Sequence, residues 1–426
     1  MMTEYQVQQF SRRRSRRSPS FKQIILIGIV ALLIGTLHIF VLDPLHPSPY
    51  RPLMAMVIAG MLMLMTGWQI GLISPRKLLM LFFWTGFATI SLVSALLKGD
   101  SIVAELWQMF GIPAVIFTAF PMLTGRHGNI VILFGMLIGF APYMIVSVLQ
   151  HPLEYPYKGI MDNPNAFGMV AAMLLAVCYS LLRGVLNEAG SKQYFRVGSL
   201  VLLIFGLHAL ILASYSRTCF VVGGMLFLIF IWSLAKESSR HRKALMVASV
   251  VFLTLGSGIL FILSISPDTG SSLFVGLFGK NAMKAANEDL LSGRSYVWEM
   301  IWKNRQLFGE GVEAMWNKYT FMPHNTYLWI LGGKGPLALI FYLGTQLMGL
   351  YLSLRLVNRK IKDDGYVIGP FMVIVSYAIM GLTESVISVL GDGIQMSYLL
   401  MMGVLIHSYD PQCSGGANED TIHARS

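Results

Sequence analysis

The run Ile24-Ile-Leu-Ile-Gly-Ile-Val-Ala-Leu-Leu-Ile-Gly-Thr-Leu-His-Ile-Phe-Val-Leu42 decides the fold class of this chain. It contains no charged residue and has the length, about 20 residues, that a helix needs to cross the hydrocarbon core of a bilayer. The basic stretch Ser11-Arg-Arg-Arg-Ser-Arg-Arg17 precedes it. The apolar run is too long for the central region of a cleaved leader, and no small-residue cleavage site follows. It reads as an uncleaved signal anchor whose basic tail stays in the cytoplasm.

The same chemistry continues outward along the chain. Of 426 residues, 55% are hydrophobic and 12% charged, whereas soluble domains are about a quarter charged. Apolar runs predict spans near 23–42, 52–73, 77–97, 102–123, 128–149, 164–183, 197–214, 217–235, 244–265, 335–355, 366–387 and 394–409. Short segments of alternating polarity, the mark of a membrane barrel, are absent, so backbone amides in lipid must be satisfied inside helices. The expected fold is all-α: a polytopic membrane helix bundle of about twelve transmembrane helices with one long periplasmic loop containing short amphipathic helices. The expected division is a basic cytoplasmic tail over 1–22, nine spans over 23–265, the periplasmic loop over 266–334, three spans over 335–409, and a cytoplasmic tail over 410–426.

A net charge of +11 in a soluble protein would suggest a nucleic-acid partner. Here the placement of the charges explains it. With the arginine-rich tail inside, the cytoplasmic segments collect 21 of the 32 Lys and Arg residues, while the short outer loops hold only Arg51, Lys98, Lys158 and Arg217. This is the positive-inside pattern, and no nucleic acid is expected to bind. It predicts that both termini lie in the cytoplasm and that the long loop faces outward, into the periplasm in a Gram-negative cell. Cys178, Cys219 and Cys413 are scattered, which indicates neither a disulfide nor a zinc site.

The polar residues of interest crowd the outer side. In the long loop, Ser292-Gly-Arg-Ser-Tyr-Val-Trp-Glu-Met-Ile-Trp-Lys-Asn-Arg305 places Val297, Trp298, Ile301 and Trp302 on one helical stripe, predicting a helix lying on the membrane surface. The loop closes with Phe321-Met-Pro-His-Asn-Thr-Tyr-Leu-Trp329, which sets His324 and Asn325 at the edge of an apolar helix. Arg217 sits in the tight turn Ala213-Ser-Tyr-Ser-Arg-Thr218, and Asn163-Pro-Asn165 opens another span.

Ordinary roles compete for these residues. Capping explains Asn163, Asn165 and Asn325, since asparagine is favoured before a helix; contact with a sugar or pyrophosphate is the alternative for the first two. Tyr155, Tyr157, Trp298, Trp302, Trp316 and Tyr319 suit an interfacial aromatic belt. His38, His208 and His407 are read as structural. Glu384, near the outer end of a span, is costly in lipid and is expected to face the bundle interior, where an arginine would be a good partner.

Taken in order, Asn163-Pro-Asn165, Ser214-Tyr-Ser-Arg-Thr218, Gly293-Arg294, Gly309-Glu-Gly311, His324-Asn-Thr-Tyr-Leu328 and Gly332-Gly-Lys-Gly335 resemble the O-antigen ligase and polysaccharide polymerase superfamily of integral membrane glycosyltransferases, the GT-C type. The resemblance covers roughly residues 160–345. It implies transfer of an oligosaccharide from an undecaprenyl-pyrophosphate carrier to a glycan or lipid A core acceptor at the periplasmic face, without a metal or other cofactor. By the same resemblance, Arg217 and Arg294 would hold the pyrophosphate and His324 would act on the acceptor, with Asn163, Asn165, Asn325 and Glu384 as substrate-binding candidates.

The residue types suit that chemistry. Guanidinium groups grip phosphate in bidentate fashion and do not deprotonate, and an imidazole, with an ordinary pKa of about 6.5, is the usual base at neutral pH. The rival class is a transporter or lipid-linked sugar flippase, which would show internal repeats and interrupted helices near the midplane. No such repeat is visible.

Overall fold

The computed structural model describes residues 20–38, 50–66, 75–119, 123, 125–152, 156–161, 163–188, 193–236, 294–319, 323–386 and 392–408. Among these the chain is entirely helical. In order the helices are α1 (Phe21–His38), α2 (Tyr50–Thr66), α3 (Pro75–Lys98) and α4 (Val103–Leu106), which continues through a π turn (Trp107–Gly111) into α5 (Ile112–Ala119). Then come α6 (Gly125–Gln150), α7 (Pro164–Leu186), α8 (Gln193–Ala213) and α9 (Arg217–Ala235). After the undescribed stretch follow α10 (Arg294–Lys303), α11 (Val312–Lys318), α12 (Thr326–Lys360), α13 (Ile368–Thr383) and α14 (Gly393–His407).

Eight helices among the described residues are long and apolar enough to cross a membrane: α1, α3, α6, α7, α8, α9, α12, and α13 with the short turn before it. The molecule is an all-α polytopic membrane bundle. The run at 244–265, most of the long loop, and Cys413 lie outside the described residues. Leu32, Leu64, Phe82, Leu149, Leu202, Leu228 and Leu347 project outward, as lipid-facing side chains do.

Two helices lie inside the bundle: α7, where nearly every residue from Ala166 to Leu186 is buried, and α14, buried from Gly393 to His407. The close approach is clearest at α7. Its Ala171, Ala172, Ala176 and Gly184 are the small residues that let helices approach closely when lipid removes any hydrophobic drive between them. A Cβ at Gly184 would run into the Tyr366 ring at 2.3 Å. Polar contacts add to this packing: Tyr143 Oη donates to the Gly35 carbonyl at 2.5 Å, and Tyr179 Oη meets His208 Nε2 at 3.0 Å. His38 is wedged edge-on between Phe140 and Tyr143.

The two ends of the bundle differ. At one, Arg126 and Arg196 both pair with Glu188, and Arg183 donates to the Ile361 carbonyl. At the other lie the start of α7, the end of α13, and the short helices α10 and α11.

The helix predicted over 335–355 begins earlier, at Thr326. Its break is confined to Gly335, whose φ of 90° only glycine adopts freely, followed by Pro336. A Cβ on Gly335 would lie 2.2 Å from the Leu307 carbonyl oxygen. The motif Gly309-Glu-Gly311 docks at this break. Glu310 N donates to the Gly332 carbonyl at 2.7 Å and Gly311 N to the Gly333 carbonyl at 3.1 Å. Asp100 accepts from Val312 N at 2.6 Å, capping α11 against the end of α3.

Just before the break, Lys334 is 2% exposed and pairs with Glu105, 6% exposed, from α4. The helix continuing from Glu105 carries the π turn, where Trp84 Nε1 donates to the Gln108 carbonyl at 2.8 Å. Removing one member of a buried pair leaves an uncompensated charge, which costs about 3–5 kcal/mol. Lys334→Met alone should therefore lower resistance to denaturation sharply. Lys334→Met combined with Glu105→Gln should recover most of the loss, and unfolding of the purified protein in mixed detergent measures both.

Candidate functional site

The site is assembled on the turn that ends α13. A helix leaves its last carbonyls without partners, and in a bundle interior those groups must find donors elsewhere in the protein. Asn325 Nδ2 donates to the Leu382 carbonyl at 2.7 Å, Arg294 Nη1 to the Thr383 carbonyl at 3.2 Å, and Thr326 Oγ1 to the Glu384 carbonyl at 3.0 Å. Thr326 Oγ1 also accepts from Val386 N at 2.9 Å, fixing the chain beyond the turn.

The Glu384 carboxylate is the hub. Its Oε1 accepts from Asn165 Nδ2 at 2.7 Å, and its Oε2 lies 3.1 Å from His324 Nδ1. The carboxylate side chain is 10% exposed and the imidazole 44%. An ionised carboxylate only accepts hydrogen bonds, so Nδ1 donates to Oε2, and Nε2 is the ring nitrogen left to other partners. Glu384 thus orients the half-exposed His324 ring. The arginine partner expected for Glu384 is replaced by histidine and asparagine; Arg294 reaches the neighbouring carbonyl instead.

Local structure explains why His-Asn-Thr can do this. His324 has φ of 44°, a left-handed conformation that is strained for a residue with a Cβ. Asn325 then takes extended geometry, and its Oδ1 accepts from Leu328 N at 3.0 Å as the cap of α12. Three consecutive side chains therefore fan onto one turn. From α10, Trp298 Nε1 donates to the Pro323 carbonyl at 2.7 Å, holding the backbone just before His324. On that helix Val297 and Ile301 are buried while Trp302 is exposed, so the stripe is inserted on one edge only.

The remaining candidates occupy the same end. Asn163 accepts from Ala166 N at 2.8 Å, capping α7 as the sequence suggests, while Asn165 turns to Glu384. Arg217 is exposed at the first position of α9. Its neighbour Thr218 shares a 2.5 Å hydrogen bond with Thr383, which puts Arg217 within one residue of the cluster. Gly168 allows the start of α7 to lie against the turn before α9; a Cβ there would be 2.9 Å from Ser216.

Some expectations change. Tyr157 is 2% exposed, edge-on to Phe167 at 4.8 Å, and so belongs to the interior rather than to an interfacial belt. Thr218, Thr383 and Trp298 contribute to the site although sequence reasoning gave none of them this role; the pair Thr383-Glu384 closing an apolar run was the available signal. Among the described residues no three His, Cys, Asp or Glu side chains gather as they would around a metal ion. The sequence matches no protein-family model and no curated protein.

Exposure separates the histidines. Diethylpyrocarbonate mapped by peptide mass spectrometry should modify His324 readily and leave the buried His38 and His407 protected. Asn165→Ala should speed His324 modification, because it removes one of the two side chains that hold Glu384.

Proposed function

We propose that this protein is a membrane glycosyltransferase of the O-antigen ligase or polysaccharide polymerase type. Its donor would be an oligosaccharide on undecaprenyl pyrophosphate, and its acceptor a glycan or lipid A core hydroxyl on the periplasmic side. The observation that carries this reading is the pairing of His324 with Glu384, with Arg294 bound to the adjoining turn. That arrangement offers a base and a cation at one bundle end, opposite the end where Arg126, Arg183 and Arg196 cluster.

In this reading the chain has about twelve spans, and the segment between 266 and the start of α12 faces outward. The acceptor hydroxyl gives its proton to His324 Nε2 as its oxygen attacks the anomeric carbon. The bond from that carbon to the carrier oxygen breaks, and undecaprenyl pyrophosphate departs with the electron pair. Arg294 and Arg217 balance the charge that grows on the leaving group, an electrostatic contribution that needs no proton transfer. Glu384 orients the imidazole and stabilises its protonated form, and Asn165 orients Glu384.

A transporter or flippase is the second reading, and one feature favours it. Glu105 and Lys334 are buried between a π turn and a broken helix, and intramembrane ion pairs beside interrupted helices are a transporter trait. The half-exposed, polar position of His324 weighs on the side of chemistry.

Reconstituted protein supplied with the lipid-linked donor and candidate acceptors should release carrier pyrophosphate. His324→Ala should lower turnover by about 10²–10⁴-fold, and Arg294→Ala by about 10²–10³-fold. Full turnover in both variants, with insertion intact, would remove the catalytic assignment. Product length separates polymerase from ligase, and donor movement across the bilayer without pyrophosphate release would favour the flippase.

Orientation has its own check. In a Cys413→Ser background, a membrane-impermeant maleimide added outside intact cells should label Tyr296→Cys and spare Asn358→Cys.

A further inference from the structure

The basic end of the bundle contains a cationic groove that the reaction does not use. It is formed on one face of α12 by Tyr351, Leu354, Arg355, Asn358 and Arg359, and has a volume of about 360 Å³. At the same end of the bundle Arg126 and Arg196 share Glu188. In the groove, Arg355 Nη1 donates to Tyr351 Oη at 3.1 Å, and among the described residues neither Arg355 nor Arg359 forms an ion pair with a carboxylate. Lys236 from the end of α9 reaches across to Asn358 Oδ1. Partial burial, and then the neighbouring charge of Lys362, lower the pKa of Lys236.

Helix-dipole and topology preferences account for basic residues in a last turn. They do not require two guanidinium groups one turn apart over a single groove. The depth is marked by Trp232, whose ring lies 4.1 Å below the Lys236 ammonium, and by exposed Tyr351; such aromatic residues settle at headgroup level. One turn further into the membrane, Leu347 is exposed on the same face. The surface therefore runs from apolar to cationic along the helix, matching a molecule with an acyl chain and a phosphate.

We propose that this groove binds the phosphate of an anionic phospholipid in the leaflet at the basic end, with Arg355 and Arg359 gripping the phosphate and Lys236 at its edge. The site is independent of the glycosyl-transfer reading and stands or falls separately from it.

The test uses purified, delipidated full-length protein in neutral detergent, with phosphatidylglycerol, phosphatidylcholine and inorganic phosphate as probes. Phosphatidylglycerol should be retained in native mass spectra and raise the melting temperature of the wild type, and phosphatidylcholine should do neither. Arg359→Gln, which removes no side-chain hydrogen bond among the described residues, and Arg355→Gln/Arg359→Gln should weaken binding by about tenfold or more. Arg196→Gln, which disturbs a paired cation, should leave binding unchanged. Equal stabilisation by inorganic phosphate would keep the anion site and assign it to a soluble anion. Equal phosphatidylglycerol binding by wild type and double variant, with helix content preserved, would overturn the proposal.

Discussion

The carbonyl groups at the end of α13 impose the constraint on which the site depends. A helix that stops inside a bundle leaves acceptors that lipid cannot satisfy, and each unmet group costs about 1–3 kcal/mol. Here Leu382, Thr383 and Glu384 obtain donors from Asn325, Arg294 and Thr326. Satisfying the backbone therefore brings the start of α12 and the start of α10 onto one turn. The histidine and carboxylate meet because their neighbours already have to.

The same logic operates at the break in α12. Interrupting the helix at Gly335 leaves the Gly332 and Gly333 carbonyls open, and the amides of Glu310 and Gly311 fill them. This fastens the segment between α10 and α11 to α12. Two backbone clasps thus hold the short helices α10 and α11 against the spans without a disulfide among the described residues.

The membrane class was legible because spanning runs are local: any window such as Ile24–Leu42 declares itself without knowledge of its neighbours. His324, Asn325, Arg294, Asn165 and Glu384 were legible as individual polar residues beside apolar runs, but not as a connected set. Glu384 was expected to find an arginine because charge complementarity alone cannot choose between cations at unknown distances. Lys334 was counted with the loop, since Gly332-Gly-Lys-Gly335-Pro336 looks like a breaker throughout. Only one residue of it leaves helical geometry. Tyr157 looked interfacial because composition cannot tell a loop that dips inward from one that does not.

The pairing of Glu105 with Lys334 also has a consequence for biogenesis. The two residues are 229 positions apart. At a ribosomal pace of roughly 5–20 residues per second, the carboxyl emerges on the order of 10–45 s before its counter-ion has been made. During that interval the nascent segment must either carry its proton, wait in the aqueous insertion channel, or lie at the bilayer surface. The short α4, weakly apolar at its first turn and linked to α5 by a π turn, is suited to delayed burial. Its final depth is set only when the last quarter of the polypeptide arrives.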